Sequence, residues 1–254
     1  MHTRVKTPQE IADMRASGQM LATIHQLIKK SVQPGWSGRD VDDLCRAELK
    51  AFGAIGPFLG YGGRNAFPAT ICISVNDEVV HGIPNDIVYE KGDLVSFDFG
   101  VQYNGMITDS AFSMFIGGEA PSKAAAKLLK ETERSCFAGI DVVKNGVHLG
   151  DIGAAVQAVL EAADLGVVRE LVGHGVGHEL HEEPDIPNYG MKGKGMALRS
   201  GMTIAIEPMA TLGKRNIIMD NDGWTIRTRD GSLAAHWEHT VLITDEGAEV
   251  LTLL

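Results

Sequence analysis

The chain has 254 residues, 44% hydrophobic and 22% charged, a balance that suits a folded protein with a sizeable core and excludes a disordered or collagenous one. Its 23 Lys and Arg against 33 Asp and Glu leave a net charge of −10, which argues against a general nucleic-acid binder, whose affinity comes from cations on phosphates. The longest uncharged stretches, 16–28 and 51–63, are 13 residues each, and a membrane-spanning helix needs about 20 apolar residues.

At the start, Arg4, Lys6, Glu10, Asp13 and Arg15 interrupt any apolar run, so no signal peptide is expected. Thr7-Pro8-Gln9-Glu10 reads as a helix start, with Thr as N-cap, Pro at the first helical position and Glu closing a capping box. Ile11, Met14, Leu21, Ile24 and Ile28 then fall at helical spacing until Pro34-Gly35. A second helix is expected over 38–52, with Val41, Leu44, Cys45 and Leu49 on one face. Asn104-Gly105 is a hairpin turn signal between strand-like runs. A second helix pair follows. Pro121-Ser122 opens a segment carrying Ala126, Leu129, Cys136 and Ile140, stopped by Asn145-Gly146, and Asp151 is expected to cap a helix with Ile152, Val156, Val159 and Leu160. Asp220-Asn221-Asp222-Gly223 marks a late turn.

The chain also repeats itself. An offset of 111 matches Val32 with Val143, Gly35 with Gly146, Asp40 with Asp151 and Leu49 with Leu160. An offset of 109 lays Gly92-Asp93-Leu94-Val95-Ser96-Phe97-Asp98 on Gly201-Met202-Thr203-Ile204-Ala205-Ile206-Glu207. His81-Gly82-Ile83-Pro84 returns as His181-Glu182-Glu183-Pro184 at an offset of 100. The expected class is α+β, largely antiparallel, with two halves, roughly 7–115 and 120–250, each a helix pair plus sheet about a pseudo-twofold axis.

Asp98 sits between aromatics in a strand-like run, where Asp is depleted, and the hairpin brings it toward Asp109. Glu207 and Glu238 occupy similar surroundings in the second half. Four buried carboxylates that converge repel one another unless cations neutralise them, and two divalent ions balance four charges. Gly173-His174-Gly175-Val176-Gly177-His178 has too many glycines for a helical zinc motif, but a Gly-rich strand end allows close backbone approach and one His ligand. His178 is read as a bystander, and His2, His25 and His148 as surface residues. His239, next to Glu238 in a strand, faces the other way and is read as supporting or structural. An oxygen-rich set with one His favours Mn, Fe(II), Co or Zn in a catalytic pair. The cysteines Cys45, Cys72 and Cys136 form no C-x-x-C and suit a reducing compartment. Neither a P-loop, a dinucleotide fingerprint nor a G-x-S-x-G elbow is found.

With these blocks in order, the chain resembles type I methionine aminopeptidase, a pita-bread metallopeptidase, from about residue 4 to 252. The blocks are Cys72-Ile73-Ser74-Val75-Asn76, His81-Gly82-Ile83-Pro84, Asp98 with Asp109, Gly173-His174-Gly175-Val176-Gly177, His181-Glu182-Glu183-Pro184, Glu207-Pro208-Met209, Asp222-Gly223-Trp224 and Glu238-His239-Thr240. The resemblance implies a single catalytic domain over 1–254 that removes the N-terminal methionine when the second residue is small, through water activated by two divalent metals. It implies Asp98, Asp109, His174, Glu207 and Glu238 as ligands, Asp109 and Glu238 bridging. It implies His81 and His181 as substrate contacts at the scissile bond, Glu207 as general base, and Tyr61, Phe67, Cys72 and Trp224 as walls of the methionine pocket. Segment 62–66 is longer than in many bacterial members, and Leu180 stands where an aromatic is common, so pocket shape is where this chain departs. The family's N-terminal zinc-binding extension is not expected, and the 25 residues between His181 and Glu207 leave no room for the type II insert. Expected partners are nascent polypeptide N-termini, with the ribosome as a candidate meeting place; a cytoplasmic monomer without nucleic-acid or membrane binding is expected.

Two rivals stand beside this reading. Proline-specific peptidases of the same fold use a similar ligand set, but carry a large N-terminal domain that 254 residues cannot hold. A non-catalytic pita-bread binding protein would have shed ligands, and all five are present here.

Overall fold

Thr7 starts α1 (Pro8–Ser31) by accepting the Glu10 N–H on its hydroxyl while the Thr7 N–H donates to the Glu10 carboxylate at 2.7 Å, the reciprocal box read from the sequence. In this computed structural model the described residues are 3–254, so His2 lies outside them. Ser37 caps α2 (Gly38–Phe52), which ends at Gly53 in the left-handed conformation. Ser122 caps α3 (Lys123–Asp141). One expectation is corrected at α4 (Leu149–Ala162). His148, half exposed, is its N-cap, and Asp151 lies three positions in, where it accepts the His148 N–H at 3.0 Å. Asp40 does the same for Ser37 at 2.7 Å. The offset of 111 thus pairs equivalent positions, each closing its cap from inside the helix.

The strands are β1 (Ile71–Val75), β2 (Glu78–Val80), β3 (Leu94–Tyr103), β4 (Met106–Phe115), β5 (Gly166–Val167), β6 (Gly173–Gly175) and β7 (Glu182–Ile186). They continue with β8 (Thr203–Ile206), β9 (Met209–Thr211), β10 (Ile217–Met219), β11 (Ile226–Thr228), β12 (Ala234–His236), β13 (Glu238–Ile243) and β14 (Ala248–Val250). The main sheet runs β1-β3-β4-β13-β8-β6-β7, with β14 on β13, and every pairing is antiparallel. Two small sheets, β10-β11-β2 and β12-β9-β5, flank it.

The alternation of strand side chains decides what faces what. Phe97, Phe99 and Val101 of β3 and Phe112 of β4 join apolar residues of all four helices in one core, which includes Leu21, Ile28, Val41, Leu128 and Val156. Ser96, Asp98 and Gly100 point to the other face, where the Ser96 and Ser113 hydroxyls share a hydrogen bond. That second face carries the acids. His25 corrects another expectation. It is buried, its ring edge-on to Phe112 at 4.9 Å, because Leu21, Ile24, His25 and Ile28 share one helical stripe.

Candidate metal centre and cavity

The Asn104-Gly105 turn closes the β3–β4 hairpin in the register that places Asp98 opposite Ala111 and Gly100 opposite Asp109. Asp98 and Asp109 are therefore diagonal neighbours on one face, close enough for each carboxyl to shift the proton affinity of the other. β13 pairs with β4 at the sheet centre, Glu238 against Ala111, which brings Glu238 to the same face. Its neighbour His239 points the opposite way, as expected, bonding Thr252 Oγ1 at 2.9 Å and packing on Phe137. Glu207 lies one residue past β8, where Pro208 supplies no N–H to continue the ladder. Two of these four acids come from each half of the chain.

His174 reaches the group from β6, a strand of Gly-His-Gly. A Cβ at Gly175 would come within 2.8 Å of the Glu183 carbonyl, so the glycine permits β6 to lie this close to its neighbour. The His174 Nδ1 bonds the Gly175 carbonyl at 2.9 Å, which fixes the ring and leaves Nε2 facing Glu207 Oε1 at 3.5 Å and Glu238 Oε1 at 4.0 Å. His178 stands apart as expected, bonding Glu10 at 2.7 Å. A residue not singled out from the sequence completes the cluster: His236, at the end of β12, has Nε2 at 3.4 Å from Glu207 Oε2 and 4.0 Å from Glu238 Oε2. Its signal was present, since His236 and Glu238 are two residues apart in an extended run and so share a side.

A cavity of about 350 Å³ opens over the acids. Tyr61, Phe67, Cys72 and Trp224 all line it, together with His81, His181 and the five acid and His residues read from the sequence. Leu180, the position where the resemblance expected a change of pocket shape, lines the wall, and Phe58, which the resemblance did not assign, joins it, both packed with Phe67 and Cys72 in one cluster. Cys72 is there because β1 pairs it with Asp98. Phe67 and Trp224 meet edge to face at 5.3 Å, and the Trp224 indole N–H donates to the Asn65 carbonyl at 2.9 Å. Segment 62–66 thus supports a wall of the cavity. His81 follows β2 with a φ of 59° and faces Trp224. His181 bonds the Tyr61 hydroxyl through Nδ1 at 2.6 Å and stacks edge-on against His174 at 4.3 Å.

Electrostatics single out this cluster. Burial, reinforced by mutual repulsion, raises Asp98, Glu207 and Glu238 well above the ordinary carboxylate range, and burial raises Asp109 to about 7. Burial also lowers His174 to about 3 and His81 to about 4. Asp98 Oδ1 and Glu238 Oε1 are buried without a hydrogen-bond partner. Unsatisfied carboxyl oxygens beside a neutral imidazole fit a divalent cation, whose charge would restore their ionisation, and Asp109, His174 and Glu238 bring their donor atoms within 4.8 Å of one another.

The α+β fold and this acid–His centre under a cavity define a metal-dependent hydrolase. The chain belongs to metallopeptidase family M24, whose model matches residues 12–245. It is 43% identical to the methionine aminopeptidase 1 of Bacillus subtilis over 97% of this chain and 98% of that protein. It is 44% identical to the methionine aminopeptidase of Clostridium acetobutylicum, over 98% of each. The solved methionine aminopeptidase of Thermotoga maritima superposes with a TM-score of 0.95 at 42% identity, covering 99% of this chain and all of that one. Type I resemblance and pita-bread fold both hold. Prolidase of Pyrococcus furiosus shares the fold alone, with a TM-score of 0.78 at 23% identity, and this chain spans 65% of it. No helix among the described residues is long and apolar enough to cross a membrane.

Proposed function

We propose that this enzyme removes the N-terminal methionine from peptides and nascent proteins whose second residue is small. The observation that carries the reading is the convergence of buried Asp98, Asp109, Glu238 and His174 with the partly buried Glu207 beneath an aromatic cavity. Asp98, Asp109, His174, Glu207 and Glu238 would hold two divalent ions of the Mn, Fe(II), Co or Zn type. Such ions supply charge neutralisation and Lewis acidity toward the scissile carbonyl and the attacking water.

The protein's own groups do the rest. Phe67, Cys72 and Trp224, with Phe58 and Leu180, form a soft apolar wall suited to an unbranched thioether. Burial lowers both His81 and His181, so each is a neutral ring; His81 would meet the peptide at the scissile bond, and His181, its Nδ1 held by the Tyr61 hydroxyl, would meet it through Nε2. Glu207, whose carboxyl has a proton affinity raised by burial and by Asp109, would take a proton from the attacking water and pass it to the leaving amine. The free cysteines Cys45, Cys72 and Cys136, all buried, agree with a cytoplasmic setting, and a monomer acting on nascent chains, with the ribosome as a candidate meeting place, is the form we propose.

Competition among Met-Ala-Ser, acetyl-Met-Ala-Ser, Met-Leu-Ser and Ala-Pro-Ser on one metal-loaded preparation tests this. Met-Ala-Ser is expected to be cleaved fastest, since a missing methylene in the pocket costs about 1–3 kcal/mol. Faster cleavage of Ala-Pro-Ser would transfer the chain to the proline-peptidase reading.

A further inference from the structure

The carboxylates of Glu207 and Glu238 are each flanked by two imidazoles. His174 faces Oε1 of both, at 3.5 and 4.0 Å, and His236 faces Oε2 of both, at 3.4 and 4.0 Å. The two rings differ in one respect. His174 lines the cavity, and His236 does not. It approaches the glutamates from within the protein, almost wholly buried at 1% exposure, and neither of its ring nitrogens has a hydrogen-bond partner. A buried imidazole left unbonded is costly, and the acceptors within reach of Nε2 are the two Oε2 atoms.

Its place in the chain is rigidly set. The β12 pairing holds His236 opposite Met209, its N–H donates to the Ser113 hydroxyl at 3.0 Å, and its carbonyl accepts from that same hydroxyl at 2.8 Å. Main-chain bonds on both sides leave the ring little freedom to swing away from the acids. A neutral imidazole carries one N–H, and on this ring the nitrogen nearest an acceptor is Nε2.

We propose that His236 is a positioning residue of the metal centre: its Nε2–H is directed at the wall-side oxygen of Glu207, with that of Glu238 next nearest, and turns their other oxygens toward His174 and the cavity. The inference rests on the metal-centre reading above. It explains how two carboxylates on different elements, one just past β8 and one opening β13, take matching orientations. Removing such a partner of a metal ligand typically costs about 10–100-fold in metal affinity.

The test measures Co(II) affinity by chelator competition, Co(II) stoichiometry, and the visible spectrum of the Co(II)-loaded protein, for wild type, His236→Gln and His236→Leu. Two ions are expected at saturation in all three. His236→Leu should bind about 10–100-fold more weakly with displaced visible bands, and His236→Gln, whose amide retains an N–H, should lie within about threefold of wild type. An unchanged affinity and spectrum in His236→Leu would remove His236 from the centre. Loss of one whole ion in both variants would make it a ligand in a Glu207–His236–Glu238 set instead. Equal weakening in both variants would show that ring shape, not the N–H, matters. Nitrogen-15 chemical shifts of the wild-type ring give a reading that needs no variant: Nε2 must be protonated, and a protonated Nδ1 with bare Nε2 overturns the proposal. Wild type that takes up no divalent ion would defeat the metal reading itself, a result distinct from all of these.

Discussion

The Tyr61 hydroxyl bonds His181 Nδ1 at 2.6 Å, tying a loop of the cavity wall to a ring that also stacks on His174. The loop around it is built from Gly60, Gly62 and Gly63, all at positive φ, so little else in that stretch restrains His181. The bond sets which ring nitrogen faces the cavity. Tyr61→Phe keeps the ring and removes only the bond. A net hydrogen bond of about 0.5–1.5 kcal/mol predicts a fall in kcat of roughly 2–10-fold, with metal content unchanged. An unaltered kcat in steady-state assays would show that His181 is held by its stacking alone.

His181 itself is expected to matter through the substrate. His181→Ala should lower kcat by about 10²–10⁴-fold, the range for a group acting in the transition state, and should leave the metal stoichiometry of the protein intact. Metal loss in parallel with rate loss would reassign it as a ligand.

Asp109 and Glu238 carry the opposite expectation. Each faces several other donors at the centre of the sheet, so Asp109→Asn or Glu238→Gln should lower bound metal and abolish turnover together. Atomic absorption on the purified variants, beside a Met-Ala-Ser assay, checks both. Near-normal turnover in either would break the ligand assignment.

His25 predicts a pH effect on stability remote from the site. Burial, aided by Lys29 and His239, lowers its pKa well below 6.5 in the folded chain. Below pH 6.5 the unfolded chain takes up a proton that the folded chain refuses, so stability rises with pH and is lost as pH falls below 6.5. The slope from one such group approaches about 1.4 kcal/mol per pH unit. Urea unfolding at pH 7 and pH 5.5 should show a smaller loss for His25→Leu than for wild type. An equal loss in both would mean His25 is protonated in the folded state.

Gly62 predicts a pocket effect. Its φ is 91°, and a Cβ there would lie 2.7 Å from the Trp224 ring, so Gly62→Ala must displace either the loop or the indole. The expected result is a raised KM for Met-Ala-Ser, because the Trp224 wall moves, with a smaller fall in kcat passed on through Tyr61, the neighbour of Gly62 that bonds His181. Unchanged KM would show that the loop absorbs the methyl without moving Trp224.

The sequence alone determined what is local or periodic. Thr7 and Glu10 close the first helix by a pattern spanning four residues, Asn104-Gly105 sets the hairpin, and alternation in β3 puts Asp98 on the face away from Phe97 and Phe99. The chain's internal echo tied Asp98 to Glu207, so the acids were legible before any coordinates, and the ordered motifs assigned the cavity residues Tyr61, Phe67, Cys72 and Trp224. Asp151 was misread because a carboxylate one turn into a helix and one at its cap differ by three positions in a sequence that tolerates both. Only tertiary structure decided the rest. His25 looked like any polar helix residue until α1 was laid on β3 and β4, since a stripe becomes a core only when something covers it. Phe58 and Leu180 became neighbours through a fold that joins residues far apart in the chain. His236 meets Glu207 because β12 and β8 end at the same place, and no spacing along the chain encodes the distance between two strand ends.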